Sequence, residues 1–477
     1  MNDAYEQLLS SAANAAEFIK ECIEQDAFLL LVCHNDADAL SACGIMVGSL
    51  WRSDARFLAR SVNRIDEFFQ QVDEGSADAD CIVFLDLGSG YVKEIYNKIG
   101  EKKVVIIDHH QPQSFDIPKC YAHLNPHLQG LEGATHISAS GLAYLVSKAL
   151  NEENYVYSPI AVVGALGDLQ DKDDKRRLRG VNAKIVEEAV EKGLMQVTED
   201  LILFGRSFRP IHVALASTSS PFLPGLTGRE DVCYSLVTSL GIKVKDGDRW
   251  RVLADLTDEE KSKLYNGIIS FLASKGLAAG NIAKELIGVI YELTEEDRWT
   301  YLRDAREFAW LLNACGKTGN AWMGIAIAAG VRGSLLEEAQ KLLEDYRAQM
   351  AKNIELFTRP GSVTNMDHII VFNGEDLIDE RQVSSLASLI SSSGMIPQDK
   401  VLIAWAKHGD RVKVSARANR SQVEKGINLG SILSDVANAV GGRGGGHNIA
   451  AGADLPANML EQFLKEVDRR IGSQLGA

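Results

Sequence analysis

Unbroken apolar runs punctuate the first third of the chain. Phe28-Leu29-Leu30-Leu31-Val32-Cys33, Cys81-Ile82-Val83-Phe84-Leu85 and Val104-Val105-Ile106-Ile107 are short and uninterrupted by polar residues. Such runs suit strands of a parallel sheet covered on both faces. Helices are predicted between and around them, over residues 4–25, 40–51 and 138–151. The alternation implies an α/β domain spanning residues 1–195. In open sheets of this kind ligands bind beyond the carboxyl ends of the strands.

Residues 196–365 form a less distinctive middle region. Pro221 to Leu226 reads as a loop by its prolines and glycine, and the charged piece from Ser334 to Glu355 reads as a linker helix. Strands then start afresh at His368–Phe372, Val401–Trp405 and Arg411–Ser415, which predicts a separate, smaller α/β domain over residues 366–477.

A chain of 477 residues exceeds one ordinary core, in keeping with two or three domains. It is 46% hydrophobic and 24% charged, as soluble globular proteins are, and no apolar run approaches membrane-spanning length. The amino terminus lacks a basic start followed by an apolar stretch, so no secretion signal is expected. Cys22, Cys33, Cys43, Cys81, Cys120, Cys233 and Cys315 lie far apart without a CxxC pair, which argues against a disulfide framework or structural zinc and for a cytoplasmic location. The net charge of −15 argues against indiscriminate coating of nucleic acid and leaves room for a local basic groove.

Four segments place acids and histidines where strands are expected to end: His34-Asn35-Asp36-Ala37-Asp38, Asp86-Leu87-Gly88, Asp108-His109-His110 and Gly167-Asp168. Together they offer five carboxylates and three imidazoles to one pocket. Side chains of this kind are hard to bury without a partner, and a pair of divalent cations fits the set. In the first segment alternate residues can face one site, although one Asp there would serve equally as a helix cap. Adjacent histidines at a strand end are rarely needed for packing, and imidazole ligates transition metals. Asp168 and Asp171 both lie near the last segment, and Asp168 is favoured. The run from Lys172 to Arg177 reads as an exposed loop.

A fifth cluster, Gly441-Gly442-Arg443-Gly444-Gly445-Gly446-His447, could close backbone N–H groups around an anion. Just upstream, Lys407, Arg411, Lys413, Arg417, Arg420 and Lys425 outnumber Asp410 and Glu424, so the terminal domain holds a basic stretch suited to a phosphate backbone.

The order His-x-Asp-x-Asp, Asp-x-Gly, Asp-His-His, Gly-Asp and a late Gly-Gly-Gly-His resembles the DHH phosphoesterase family with its DHH-associated carboxyl-terminal domain. Within it, length and the large middle region resemble the archaeal RecJ-like single-strand nucleases. Leu312-Asn313-Ala314-Cys315-Gly316 is similar to the Asn-Ala-x-Gly stretch of RecJ proteins. The resemblance implies that His34, Asp36 and Asp86 hold one metal, and that Asp38, Asp86, His109 and Asp168 hold a second, with Asp86 bridging. His110 would touch the scissile phosphate or act as an acid. Ser415, Arg417, Gly445, Gly446 and His447 would bind nucleotide or phosphate. Ala39 stands where the family usually has Gly, and Lys317 where RecJ proteins commonly have Arg.

Two divalent ions activate water and offset charge on phosphate oxygens. The mixed imidazole and carboxylate set favours Mn²⁺, with Mg²⁺ as the alternative. The expected activity is exonucleolytic release of nucleoside monophosphates from single-stranded DNA, or RNA, in replication and repair. Rival readings are an oligoribonuclease or nucleotide phosphatase acting on very short substrates, and a replication-complex subunit that binds GINS.

Overall fold

In the computed structural model, which describes residues 2–75, 78–172, 174–275, 280–357, 359–393 and 395–476, the first sheet is built from five parallel strands. They are β1 (Phe28–Cys33), β2 (Arg56–Ser61), β3 (Cys81–Leu85), β4 (Lys103–Ile107) and β5 (Tyr121–Leu124), in the order β2-β1-β3-β4-β5. The three apolar runs are the central strands, and β3 is buried throughout. Edge strands β2 and β5 are interrupted by polar residues, and the apolar pattern does not announce them.

Register decides where the chemistry lies. Cys33 pairs with Leu85 and Leu85 with Ile107, so the three central strands end level. His34, Asp86 and Asp108 therefore emerge side by side. Strand order also reverses between β1 and β3, the point at which sheets of this order open a crevice for ligands.

Helices α1 (Asn2–Glu24), α2 (Ala37–Arg52), α3 (Ile65–Asp73), α4 (Val92–Ile99), α5 (Ala139–Leu150), α6 (Ser158–Gly167) and α7 (Gly180–Glu191) accompany the sheet. On one face Phe68, Val92 and Ile95 pack with Ile82, Phe84, Val104 and Ile106. Gly167-Asp168 does not follow a strand. The apolar stretch before it is the helix α6, and Asp168 is its carboxyl-terminal cap. An unbroken apolar run cannot by itself distinguish a buried helix from a buried strand.

The chain divides into two compact units, residues 1–200 with 287–345 and residues 201–286 with 346–477. The stretch read as one middle region is thus shared between them, because the strand Ile287–Leu293 and helices Ala305–Lys317 and Ala321–Ala328 pack with the first unit. The predicted linker helix forms over Ser334–Phe357. The run from Lys172 to Arg177 is not uniformly exposed: Arg176 is buried against Asp171, and Asp173 lies outside the described residues.

The second unit contains a six-stranded sheet. Its order is Val363–Asn365, Ile369–Asn373, Val401–His408, Arg411–Arg417, Ala450–Pro456 and Arg443–Gly446. The second and third strands are parallel and the other pairs antiparallel. Val412, Val414, Ala416 and Leu455 meet Leu433, Val436, Phe463 and Val467 from two covering helices. Part of the glycine cluster is the edge strand Arg443–Gly446, not a free loop. A Cβ at Gly444 would overlap the Leu433 backbone, so the glycine admits the helix Leu429–Ala439. No helix among the described residues is long and apolar enough to cross a membrane.

Candidate metal centre

Asp36 is a helix cap that also belongs to a group able to hold a metal ion. Its backbone is extended, its Oδ1 accepts the Ala39 N–H at 3.0 Å, and its Oδ2 meets His34 Nδ1 at 2.7 Å. Because α2 begins at Ala37, His34, Asp36 and Asp38 do not lie along one extended segment. His34 and Asp36 group with Asp86, while Asp38, in the first turn of α2, groups with His109 and Asp168. The Asp38 carboxylate accepts from Ala139 N at 2.8 Å and Ser140 N at 3.0 Å, two donors at the start of α5 that have no intrahelical partner. Gly164 of α6 makes room, since a Cβ there would meet Ser140 and Asp38.

Asp86 sits between the groups. It is 4% exposed, with φ of +61°, a left-handed backbone uncommon outside glycine. Its Oδ1 is buried without a hydrogen-bond partner; His109 Nε2 lies 3.2 Å away. Burial, then the nearby Asp36 and Asp38, push its carboxyl well above the usual range. Burial and Asp38 likewise raise Asp168 to about 6, against the pull of His109. A buried oxygen that faces the His109 ring at 3.2 Å, among carboxylates that repel one another, fits a cation.

His109 is buried, and its Nδ1 lies 2.8 Å from the Gly133 carbonyl oxygen. A carbonyl only accepts, so Nδ1 carries the hydrogen and Nε2 is left facing Asp86, Asp168 at 3.7 Å and Asp38 at 4.0 Å. Burial opposes a charge on this ring, but the three carboxylates outweigh it and raise its pKa well above the ordinary value. His110 is more exposed. Its Nδ1 donates to Asp108 Oδ1 at 2.8 Å, and its pKa rises to about 9 because Asp108 outweighs burial.

Asp108 does not join the metal-ligand groups found among the described residues. It is 1% exposed and accepts from His110 N, His110 Nδ1 and Ser89 N, so it orients His110. Asp171 is likewise diverted, buried in ion pairs with Arg176 and Arg306. Three groups remain whose donor atoms lie within 4.8 Å of one another: His34-Asp36-Asp86, Asp38-His109-Asp168 and Asp86-His109-His110.

The helix Ala305–Lys317 supplies residues to which ligand spacing gives no clue. Asn313 Oδ1 accepts the Ala37 N–H at 3.0 Å, Gly316 packs on the Asn35 carbonyl, and Lys317 Nζ donates to Asn35 Oδ1 at 3.0 Å. Burial opposes ionisation of Asp36, yet His34, Lys317 and the Ala39 N–H hold its carboxyl below the usual range.

In the terminal sheet, Ser415 pairs with Gly452 and Gly452 with Gly445, which sets the three in one row. Arg417 reaches from the Ser415 strand to the helix Val383–Ser392. Its five N–H groups go to Ser388 Oγ, Ser415 Oγ, the Ala416 carbonyl, and the Ser384 carbonyl and hydroxyl. No carboxylate is among these partners, and burial brings the guanidinium down to about 10. Gly445 has open space where a Cβ would stand. Gly446 ends the strand at φ +136°, where a Cβ would meet Ala451, and the exposed His447 follows it.

Residues 29–167 match the DHH family, N-terminal domain, residues 203–287 the DHH-CID domain and residues 368–473 the DHHA1 domain. Over 472 residues the chain is 29% identical to an uncharacterized protein of Methanocaldococcus jannaschii, covering 98% of this chain and 99% of that one. CDC45 from Entamoeba histolytica superposes with a TM-score of 0.65 at 12% identity, over 96% of this chain and 99% of CDC45. RecJ from Thermus thermophilus, solved with Mn²⁺, gives 0.56 at 15% identity over 97% of this chain. The chain spans only 55% of that RecJ, but 94% of a second manganese-bound exonuclease RecJ, which gives 0.56 at 17% identity over 97% of this chain. At these identities the likeness to solved structures is one of fold. The DHH, DHH-CID and DHHA1 domains follow one another along the chain, which belongs to the DHH family.

Proposed function

We propose that the chain is a two-metal-ion exonuclease that hydrolyses phosphodiester bonds from an end of single-stranded DNA or RNA. One observation carries the reading: Asp86 presents a buried, unpartnered oxygen at the junction of two ligand groups. His34, Asp36 and Asp86 would hold one ion, and Asp38, Asp86, His109 and Asp168 the other. Mn²⁺ is favoured by the mixed donors, and Mg²⁺ suits the carboxylates. Such a pair supplies a water nucleophile at neutral pH and offsets charge on phosphate oxygens.

The protein's own groups do the rest. Asp108 orients the His110 ring through Nδ1, and that ring would meet a phosphate oxygen or hold a proton for a leaving group. Ser415, Arg417, Gly445, Gly446 and His447 would bind the strand, with the row of glycines letting a backbone approach closely. Digestion of end-labelled single-stranded DNA and RNA with added Mn²⁺, Mg²⁺ or chelator tests the proposal. Metal-dependent shortening from one end is expected. Normal metal binding without shortening of any single strand would refute it.

Membership of a replication complex is a second reading, favoured by the likeness to CDC45 along nearly the whole of both chains. It is compatible with retained activity. GINS is the proposed partner, and co-purification of the full-length chain without GINS would count against it.

A further inference from the structure

We infer that Gln170 is a positioning residue for one of the two ion sites and not for the other. The inference rests on the two-ion reading above. Gln170 is buried, and its side-chain Nε2 donates to Asp168 Oδ2 at 2.9 Å and to the Gly133 carbonyl at 2.8 Å. That carbonyl is also the acceptor for His109 Nδ1. One amide nitrogen therefore ties together a carboxylate and an imidazole of the Asp38-His109-Asp168 group.

The orientation of the amide follows from its neighbours. Asp168 Oδ2 and the Gly133 carbonyl are both acceptors, so the NH₂ end must face them. On the other side Gln170 Oε1 accepts from Asn182 Nδ2 at 2.7 Å. Asn182 is 1% exposed, lies on α7, and its backbone N–H donates to the His136 carbonyl at 3.0 Å. The His136 and Gly133 carbonyls belong to one short segment, so α7 and this loop hold Gln170 from two directions. A reversed amide would set oxygen against two acceptors. Gly133 completes the arrangement, because a Cβ there would overlap the His109 carbonyl and lift the loop from the ring.

Among the described residues, Gln170 makes no hydrogen bond to His34, Asp36 or Asp86. The consequence is selectivity. Removing the amide frees Asp168 to rotate and loosens the acceptor that fixes the His109 ring, while the His34-Asp36-Asp86 group keeps its own supports at Ala39 and Lys317. Groups that orient ligands in this way typically alter metal affinity by about 10–100-fold.

The test is calorimetric titration of chelator-treated full-length protein with Mn²⁺, together with thermal melting of the metal-free forms. The wild type should show two binding events. Gln170→Met should weaken one by about 10–100-fold and leave the other within about twofold. Asn182→Leu keeps Gln170 but releases its amide, and should weaken the same event to a lesser degree. The double variant should be no worse than Gln170→Met, as expected of residues acting in series. If Gln170→Met does not fold, Asn182→Leu alone decides. Two events of wild-type affinity, or two events weakened equally, would overturn the assignment. A wild type that binds no Mn²⁺ would instead overturn the ion-site reading and this inference with it.

Discussion

Gly316 packs directly on Asn35. A Cβ at position 316 would overlap the Asn35 carbonyl oxygen, so only glycine lets the helix Ala305–Lys317 close over the turn between His34 and Asp36. Asn313 and Lys317 fasten the same turn through Ala37 N and the Asn35 side chain. The Asn-Ala-x-Gly stretch is therefore a clamp on the first ligand segment, placed far away along the chain.

Gly316→Ala should displace that turn. Overpacking of this kind costs about 1–3 kcal/mol. Because the displaced atoms flank His34 and Asp36, Mn²⁺ affinity should fall by more than the loss of stability accounts for. Metal titration beside chemical denaturation measures both. Unchanged metal binding would show that the turn accommodates the methyl group. Asn313→Ala should act in the same direction, and its cost should be about 1–3 kcal/mol for leaving the buried Ala37 N–H unpaired.

The acid cluster predicts an unusual pH response in metal-free protein. Asp86 and Asp168 both have folded pKa values above the unfolded one, Asp168 moving from 3.8 to about 6. Protonation therefore favours the native state. Their contribution to stability is fully present below about pH 3.8 and is lost as pH rises, for Asp168 through about 6. Metal-free Asp86→Asn should consequently melt no lower than wild type at neutral pH, while losing Mn²⁺ binding and cleavage. Adding Mn²⁺ at about 100 times its Kd should stabilise the wild type by about 2.7 kcal/mol and leave this variant unmoved. A lowered melting point for metal-free Asp86→Asn would show that the carboxylate has a protein partner.

Asp108 controls His110. In metal-free protein the ring has a pKa of about 9, because Asp108 outweighs burial. Its contribution to stability is fully present below about pH 6.5 and is lost as pH rises through about 9. Asp108→Asn should bring the ring toward the ordinary histidine value, read from its proton resonances across a pH series. It should also lower turnover more than Mn²⁺ affinity, since the Asp108 carboxylate is hydrogen-bonded to Ser89 and His110 and to no proposed ion ligand. A ring that titrates near 9 in the variant would assign the shift to another group.

The central part of this architecture was legible in the chain, and the reason is specific. Strands β1, β3 and β4 are buried on both faces, so they are written as continuous apolar runs, and their level ends bring His34, Asp86 and Asp108 together. Edge strands carry no such run: Arg56-Phe57-Leu58-Ala59-Arg60-Ser61 and Tyr121-Ala122-His123-Leu124 mix polar with apolar positions. The glycine-rich strand was hidden for another reason, because glycine has little strand propensity and resembles a linker until its packing is known. Ligand types stood out as charge that needs a partner. Gly133, Gly164 and Gln170 did not, because a clearance or a relayed hydrogen bond between distant segments leaves no local pattern, and Gly316 stood out only through the resemblance of its stretch to RecJ proteins.

Arg417 offers the sharpest test of the terminal domain. All five of its N–H groups are engaged by neutral oxygens, so the side chain clamps the helix Val383–Ser392 to the sheet and yet keeps an unneutralised positive charge. A structural clamp and a phosphate partner make different predictions for Arg417→Met. If the charge attracts a phosphate, affinity for single-stranded DNA should fall, and the slope of log K against log salt should shrink by about 0.7 for the one lost contact. If the residue is only a clamp, affinity falls through disorder of the helix and the slope stays the same. The first result is expected, with Mn²⁺ binding unaltered in either case because the proposed ligands all lie in the other unit. Arg417→Lys should restore most of the slope without restoring full affinity, since an ammonium keeps the charge but cannot reproduce the planar fork that spans Ser384, Ser388 and Ser415.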